Sequence, residues 1–309
     1  MVGMTTASQP LGGLFVPLIT PFTAAGDLDQ ETLESLAHRM LDAGATGIVA
    51  LGTTAEAAAL DEDEKARVLD ICARVCRDRE APLIAAAGTN DTRRSQAALA
   101  ALARWPEIRA ALVVVPYYNR PGEDGVLAHF RALAARTPVP IVVYNIPQRT
   151  GQQFGWPAMR QLAALTQVAG VKHAPGSVDL DTVALMAERP DDFSVLAGDC
   201  AFAPALLALG ASGMISASAH VSTASFAELV RAWRAGDART AQPLGHRLAM
   251  LGARLFAEPN PVVIKAVLAE LGHIPSATVR LPLVAARPAS VGAALTAMAA
   301  VGPEALATV

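Results

Sequence analysis

A chain of 309 residues that is 52% hydrophobic can bury a sizeable core, yet it holds no run of about 18 large apolar residues of the kind that spans a bilayer. Its formal net charge of -3, from 25 basic and 28 acidic side chains, gives no electrostatic footprint for nucleic acid or an anionic membrane surface. Residues 1–13 carry no basic segment followed by an apolar core, and Cys72, Cys76 and Cys200 lack metal-ligand spacing; a soluble protein of a reducing cytoplasm is expected.

Apolar runs of strand length alternate with amphipathic helical patterns along the chain. The first run, 14–22, is closed by Pro21 and leads to a helix from about Asp29 to just before Gly44. The second, 46–52, precedes a helix whose acidic start, 61–64, suits a positive N-terminal dipole and which continues to about Arg77. After the third, 82–88, Asn90, Asp91 and Thr92 are cap candidates for a helix through Ala103. The fourth, 110–118, turns at Asn119-Arg120-Pro121-Gly122 into a helix carrying His129, Phe130 and Leu133. The fifth is 140–147, with Arg149-Thr150-Gly151 in the loop after it, and the sixth is 168–174. The seventh, 193–198, leads to a small-residue helix at 202–209, and the eighth, 213–219, to a helix at 226–234. Eight pairs whose strands are too apolar to have a wet face predict a parallel (β/α)8 barrel; an open doubly wound sheet fits less well, because the first loop lacks a Gly-x-Gly-x-x-Gly fingerprint. After Gly236 the pattern changes to consecutive helices, 238–271 and 289–300, joined by an extended link at 281–283. Cys72 and Cys76 share a helix face and read as core.

Lysine is scarce: Lys65, Lys172 and Lys265 are the whole set, so arginine supplies 22 of the 25 basic side chains. Lys65 belongs to the solvated charged run 61–65, and Lys265 lies in a helical pattern with Glu270 nearby. Only Lys172 sits in a run short and apolar enough to be a buried strand. An amine in low dielectric gives up its proton more readily, and the free amine can attack a ketone to form a Schiff base. In a parallel barrel the active site forms at the carboxyl ends of the strands. Strand two ends in Gly52-Thr53-Thr54, strand four in Tyr117-Tyr118, strand five in Tyr144-Asn145 and strand six in Lys172, and these ends are expected to converge on one mouth. Together they offer a nucleophile, a proton relay and donors for a bound carboxylate.

In order and spacing, a set of motifs resembles the dihydrodipicolinate synthase and N-acetylneuraminate lyase family of pyruvate-dependent class I aldolases, the synthases most closely. The motifs are Thr20-Pro21-Phe22, Gly52-Thr53-Thr54-Ala55-Glu56, Pro116-Tyr117-Tyr118-Asn119-Arg120-Pro121, Tyr144-Asn145-Ile146-Pro147-Gln148-Arg149-Thr150-Gly151, Gly170-Val171-Lys172 and Glu258-Pro259-Asn260-Pro261. The resemblance runs from Gly13 to about Leu283. It implies a TIM barrel at 1–235 with a C-terminal helical domain at 236–309, assembled as a homotetramer of tight dimers. The implied reaction is condensation of pyruvate with L-aspartate-4-semialdehyde, a step of lysine biosynthesis, with a covalent imine on Lys172 and neither metal nor organic cofactor. By the same resemblance Tyr144 is the acid and base beside the lysine, and Thr53 relays protons between it and Tyr118 reaching in from a neighbouring subunit. Thr53 and Thr54 hold the carboxylate of pyruvate, Arg149 grips the carboxylate of the aldehyde, and Gly198 and Ile215 line the pyruvate pocket.

The chain departs from the family at several points. Ala55 and Ala57 replace a glycine and a serine, Ala85-Ala86-Ala87-Gly88 replaces a segment like Ala-Gly-Thr-Gly, His173 follows the lysine where an acidic residue is common, and His220 replaces an asparagine. These changes remove no catalytic group but keep open another acceptor, a sugar acid or keto acid. A non-catalytic barrel that binds keto acids is the reading from a different class; the joint presence of Lys172, Tyr144 and Thr53 argues against it. Some family members bind lysine allosterically; here Asn90 is kept, Arg94 stands in the place of a glutamate, and Glu62 and Lys65 fall near histidine positions, so weak or absent feedback by lysine is expected.

Overall fold

The computed structural model describes residues 10–302; residues 1–9, most of the stretch read for a leader, and 303–309 lie outside the described residues. Eight strands alternate with helices: β1 Gly13–Pro17, α1 Gln30–Asp42, β2 Gly47–Ala50, α2 Glu62–Asp78, β3 Leu83–Ala86, α3 Thr92–Ala101, β4 Ile108–Val114 and α4 Gly122–Ala134. The second half continues with β5 Ile141–Asn145, the single turn α5 Pro147–Thr150, α6 Trp156–Ala163, β6 Val168–His173, α7 Leu180–Glu188, β7 Ser194–Ala197, α8 Ala203–Ala208, β8 Gly213–Ile215 and α9 Thr223–Arg234. Three helices follow, α10 Ala238–Leu255, α11 Val262–Glu270 and α12 Pro288–Ala299. The strands pair in sequence order, all parallel, and β8 closes on β1 through Gly213 and Gly13. This is the (β/α)8 barrel with trailing helices that the alternating runs predict.

Sequence-local chemistry accounts for where the helices begin. The Asp29 carboxylate accepts from the Thr32 N–H ahead of α1, and Asp61 and Glu64 form a reciprocal capping box on α2. Of the three cap candidates before α3, Asp91 takes the role, accepting from the Arg94 N–H at 2.7 Å. The strand runs are shorter than their hydropathy suggests. β1 stops at Pro17, although the Leu18 N–H still donates to the Val49 carbonyl at 3.0 Å, and Leu18, Ile19 and Phe22 beyond it stay buried. β8 stops at Ile215, and the remainder of its apolar run coils into a 3-10 turn, Ala217–His220.

Side chains alternate across each strand, so one set fills the barrel and the other packs against the helices. The inner set includes Phe15, Val49, Ile84, Leu112, Val142 and Leu196, capped toward the carboxyl end by Tyr144, Ala174 and Ile215. The outer set forms the larger core with the helices, and Cys72 and Cys76 belong to it, both fully buried. The expected helical stretch 238–271 breaks at Glu258-Pro259-Asn260-Pro261 into α10 and α11, which turns this loop toward the barrel mouth.

Candidate active site

Period-two alternation decides which residues of β5 and β6 face inward. Tyr144 and Lys172 are register partners on adjacent strands and point into the barrel, whereas Asn145 and His173, one residue further, face the helices. They open into a cavity of about 570 Å³ at the carboxyl ends of the strands. Seven of the eight residues singled out in the sequence line it: Thr53, Thr54, Tyr144, Arg149, Lys172, Gly198 and Ile215.

Lys172 is 7% exposed, and its Nζ lies 4.3 Å from the centre of the Tyr144 ring. Among the described residues it forms no ion pair. Burial pulls its amine down to about 8, with the Cys200 thiol opposing and the Arg149 guanidinium reinforcing. The same burial pushes the Tyr144 phenol up to about 12, opposed by Arg149 and by the Thr53 hydroxyl. An amine that is partly neutral near pH 7, beside a phenol that keeps its proton, is a nucleophile with an adjacent acid. Gly198 makes room for it: a Cβ there would sit 2.9 Å from Lys172 Cγ and 3.0 Å from its Cε.

After β2 the chain enters a 3-10 turn, Thr53–Ala55, whose leading amides are those that a helical turn leaves without an internal partner. Thr54 is buried, and its Oγ1 accepts from Asn260 Nδ2 at 2.9 Å. Arg149 lies in the single turn α5, set by Pro147 at its start and the left-handed Gly151 after it. These donors face the lysine across the cavity. They suit a small substrate that carries a carboxylate next to a carbonyl.

The fourth strand end differs from expectation. After Val114 the chain turns away: Tyr117 opens on a neighbouring cavity of about 370 Å³ that shares Thr53, Tyr144 and Arg149 with the first. Tyr118, in a left-handed conformation at φ 69°, is 90% exposed and lines neither cavity.

Two of the departures, His173 and His220, line neither of these cavities. The His173 Nε2 meets Thr182 Oγ1 at 3.0 Å on the helix side of β6. His220 is buried; its Nε2 accepts from the Ile19 N–H at 3.1 Å, so its Nδ1–H donates to the Ala217 carbonyl at 2.8 Å. Burial holds both imidazoles down to about 4, and both are neutral scaffold groups. The Ala55 carbonyl accepts from Thr20 Oγ1 at 2.7 Å, and Ala57 lines only the second cavity.

Sequence reasoning missed several residues. Asp199 and Cys200 form one wall of the main cavity, the thiol 3.0 Å from Ser216 Oγ, and burial raises the Asp199 carboxyl. Lys265, which the sequence places only in a helical pattern near Glu270, is fully buried, and its Nζ lies 2.5 Å from Glu56 Oε1. Nothing local announces that pair, whose members are 209 positions apart. No cluster of three His, Cys, Asp or Glu side chains among the described residues could hold a metal, and no described helix is long and apolar enough to cross a membrane.

Comparison with known proteins shows the family of the chain. A profile of the dihydrodipicolinate synthetase family matches residues 10–295. The chain is 40% identical to a 4-hydroxy-tetrahydrodipicolinate synthase of Moorella thermoacetica, over 89% of this chain and 93% of that protein. Among solved structures it is similar to the 4-hydroxy-tetrahydrodipicolinate synthase of Methylacidiphilum fumariolicum SolV, with TM-score 0.89, 31% identity, and 95% and 97% of the two chains covered. It is also similar to the chloride-inhibited dihydrodipicolinate synthase of Acinetobacter baumannii complexed with pyruvate, with TM-score 0.89, 33% identity, and 94% and 98% covered.

Proposed function

Since the chain belongs to the dihydrodipicolinate synthetase family, we propose that it condenses pyruvate with L-aspartate-4-semialdehyde to 4-hydroxy-tetrahydrodipicolinate through a Schiff base on Lys172. The observation that carries this reading is a buried lysine amine with no carboxylate partner among the described residues, held over the Tyr144 ring in a cavity lined by Thr53, Thr54 and Arg149, which can donate to a carboxylate.

Neutral Lys172 adds to C2 of pyruvate, and Tyr144 protonates the departing hydroxyl so that water leaves and the imine forms. The Thr53 and Thr54 amides and hydroxyls hold the pyruvate carboxylate, with Gly198 and Ile215 against its body. The protonated imine draws electrons from C3; loss of a C3 proton gives the enamine, which attacks the aldehyde carbon while its oxygen takes a proton by way of Tyr144 and Thr53. Arg149 binds the carboxylate of the aldehyde substrate as a planar two-pronged donor. The substrate's own amine then displaces Lys172 from the imine carbon, which closes the ring and frees the enzyme. The imine on Lys172 is the electron sink, so this route calls for no metal or organic cofactor.

The exposed Tyr118 supports its role as a relay group delivered to a neighbouring subunit, with Thr53 as the acceptor of that contact. Exposed Leu281 and Val284, and a separate exposed group on and before α7, Val178, Leu180 and Val183, support two contact surfaces, as a homotetramer of tight dimers needs. A barrel domain at 1–235, a helical domain at 236–309 and a cytoplasmic location complete the reading.

Incubation with pyruvate and borohydride, followed by peptide mass spectrometry, tests it. The expected product is a reduced adduct on Lys172, with Lys265 unmodified; folded protein that yields no adduct on Lys172 refutes the reading. Aspartate semialdehyde should outperform a panel of sugar-acid aldehydes as acceptor.

A further inference from the structure

Of the two buried lysines only one lines the main cavity, and the other calls for an explanation. Lys265, on α11, is fully buried outside both cavities. Its Nζ donates to Glu56 Oε1 at 2.5 Å and to the Thr278 carbonyl at 2.8 Å, and it lies 4.1 Å from the centre of the Phe22 ring. The other Glu56 oxygen accepts from the Arg280 N–H at 2.9 Å. The Arg280 guanidinium covers the same Phe22 ring at 4.3 Å and is tied to Glu64, to the Gly26 carbonyl and to the Ala59 carbonyl.

Glu56 is the hinge point of the loop that carries the catalytic threonines. It sits at φ 53° between the turn Thr53–Ala55 and a second 3-10 turn, Ala57–Ala59, and its N–H donates to the Thr53 carbonyl at 3.2 Å. A non-glycine residue in the left-handed region persists only where its surroundings over-determine it. The sheet does not do so: β2 ends at Ala50, and Leu51 itself is left-handed at φ 58°. One tie comes from the loop after β1, where Thr20 Oγ1 donates to the Ala55 carbonyl at 2.7 Å; the others come from the far end of the chain. Asn260 bonds the Thr54 hydroxyl, and five residues later Lys265 bonds Glu56. A buried ion pair adds little net stability over an apolar pair of the same shape, which leaves geometric control as the better account of this one.

We propose that the Lys265–Glu56 pair is a positioning device, through which α11 sets the Thr53-Thr54 turn at the distance from Lys172 that pyruvate requires. The proposal rests on the reading that Thr53 and Thr54 bind the pyruvate carboxylate. It makes the helices after the barrel part of the pyruvate site although Lys265 touches no substrate.

The test compares steady-state kinetics of the double variant Glu56→Gln/Lys265→Met, which removes both buried charges together, with the unaltered enzyme. Circular dichroism and a cooperative melt establish folding. A displaced turn should raise the KM for pyruvate about tenfold or more while the KM for the aldehyde stays within about twofold, since misplacement near 1 Å costs up to about 10² in rate or binding. Lys172 should still be trapped by borohydride at saturating pyruvate. If the double variant does not fold, the single change Glu56→Gln, which keeps the shape and the bond from Arg280, should give the same KM pattern to a smaller degree. A folded variant with pyruvate KM unchanged, or one that loses only kcat, overturns the proposal. Thr53→Val and Thr54→Val separate the two ideas: if both leave pyruvate KM unchanged, the threonine hydroxyls do not hold the carboxylate and that part of the reading has failed; if they raise it and the Glu56 and Lys265 variants do not, only the positioning proposal has.

Discussion

Gly198→Ala isolates the position of the reactive amine from every other property of the site. Gly198 is not among the left-handed glycines, so the backbone accepts an alanine, and the only obstacle is steric. The new Cβ would lie 2.9 Å from Lys172 Cγ, 3.0 Å from Lys172 Cε and 3.0 Å from Ala174 Cβ. Carbon atoms rest about 3.5–4.0 Å apart. Ala174 belongs to the packed inner core and cannot retreat, so the lysine must swing away by roughly 0.5–1 Å. Overpacking of this kind costs about 1–3 kcal/mol of stability, which lowers the melting temperature without unfolding the barrel. The chemical cost is larger: a shift near 1 Å in a reacting group lowers the rate by about 10²-fold. The rate of borohydride-trapped adduct formation at subsaturating pyruvate measures it directly, before any aldehyde is added. A folded Gly198→Ala protein that forms the adduct within about twofold of the normal rate would refute the claim that Lys172 is held in one productive place.

Other properties of the site are open to measurement. With the free amine at about 8, kcat/KM for pyruvate should rise about tenfold per pH unit below that value and level off above it, because only the neutral amine adds to the ketone. Arg149 helps to hold the amine down, so Arg149→Gln should move this inflection to higher pH as well as weaken the aldehyde substrate; an unmoved inflection would remove Arg149 from the field at Lys172. Tyr144→Phe should lower kcat by about 10²–10⁴ while leaving the barrel intact, the range for loss of a general acid and base, and a loss of less than about fivefold would assign the proton transfers elsewhere. Glu62 and Lys65 are bound to each other at 2.7 Å and Arg94 is exposed at the start of α3, so a lysine ammonium meets repulsion there. Steady-state rates should be indifferent to sub-millimolar lysine, and clear inhibition would overturn that expectation.

The barrel is legible in the sequence because burial is written in hydropathy, and the strand ends are not because hydrogen bonding is not. Leu18, Ile19 and Phe22 are as buried as any strand residue and belong to none. The same gap explains Tyr118: the sequence places it at a strand end, but only the left-handed turn after β4 sends it outward. His173 was readable by strand alternation, since a residue next to an inward lysine must face the helices, and its place in the motif hid that from view. Lys265 is the instructive case. Scarcity and apolar neighbours singled out Lys172 as the buried amine, yet Lys265 is the more buried of the two, and its partner stands 209 positions away, beyond the reach of any local pattern. Burial pulls both amines down, but at Lys265 the carboxylate of Glu56 pulls back up and two acceptors occupy the amine's hydrogens. Lys172 has a ring face below it and open cavity ahead. On the proposed reading, the difference between a nucleophile and a strut is that one amine has no ionic partner among the described residues and the other has one.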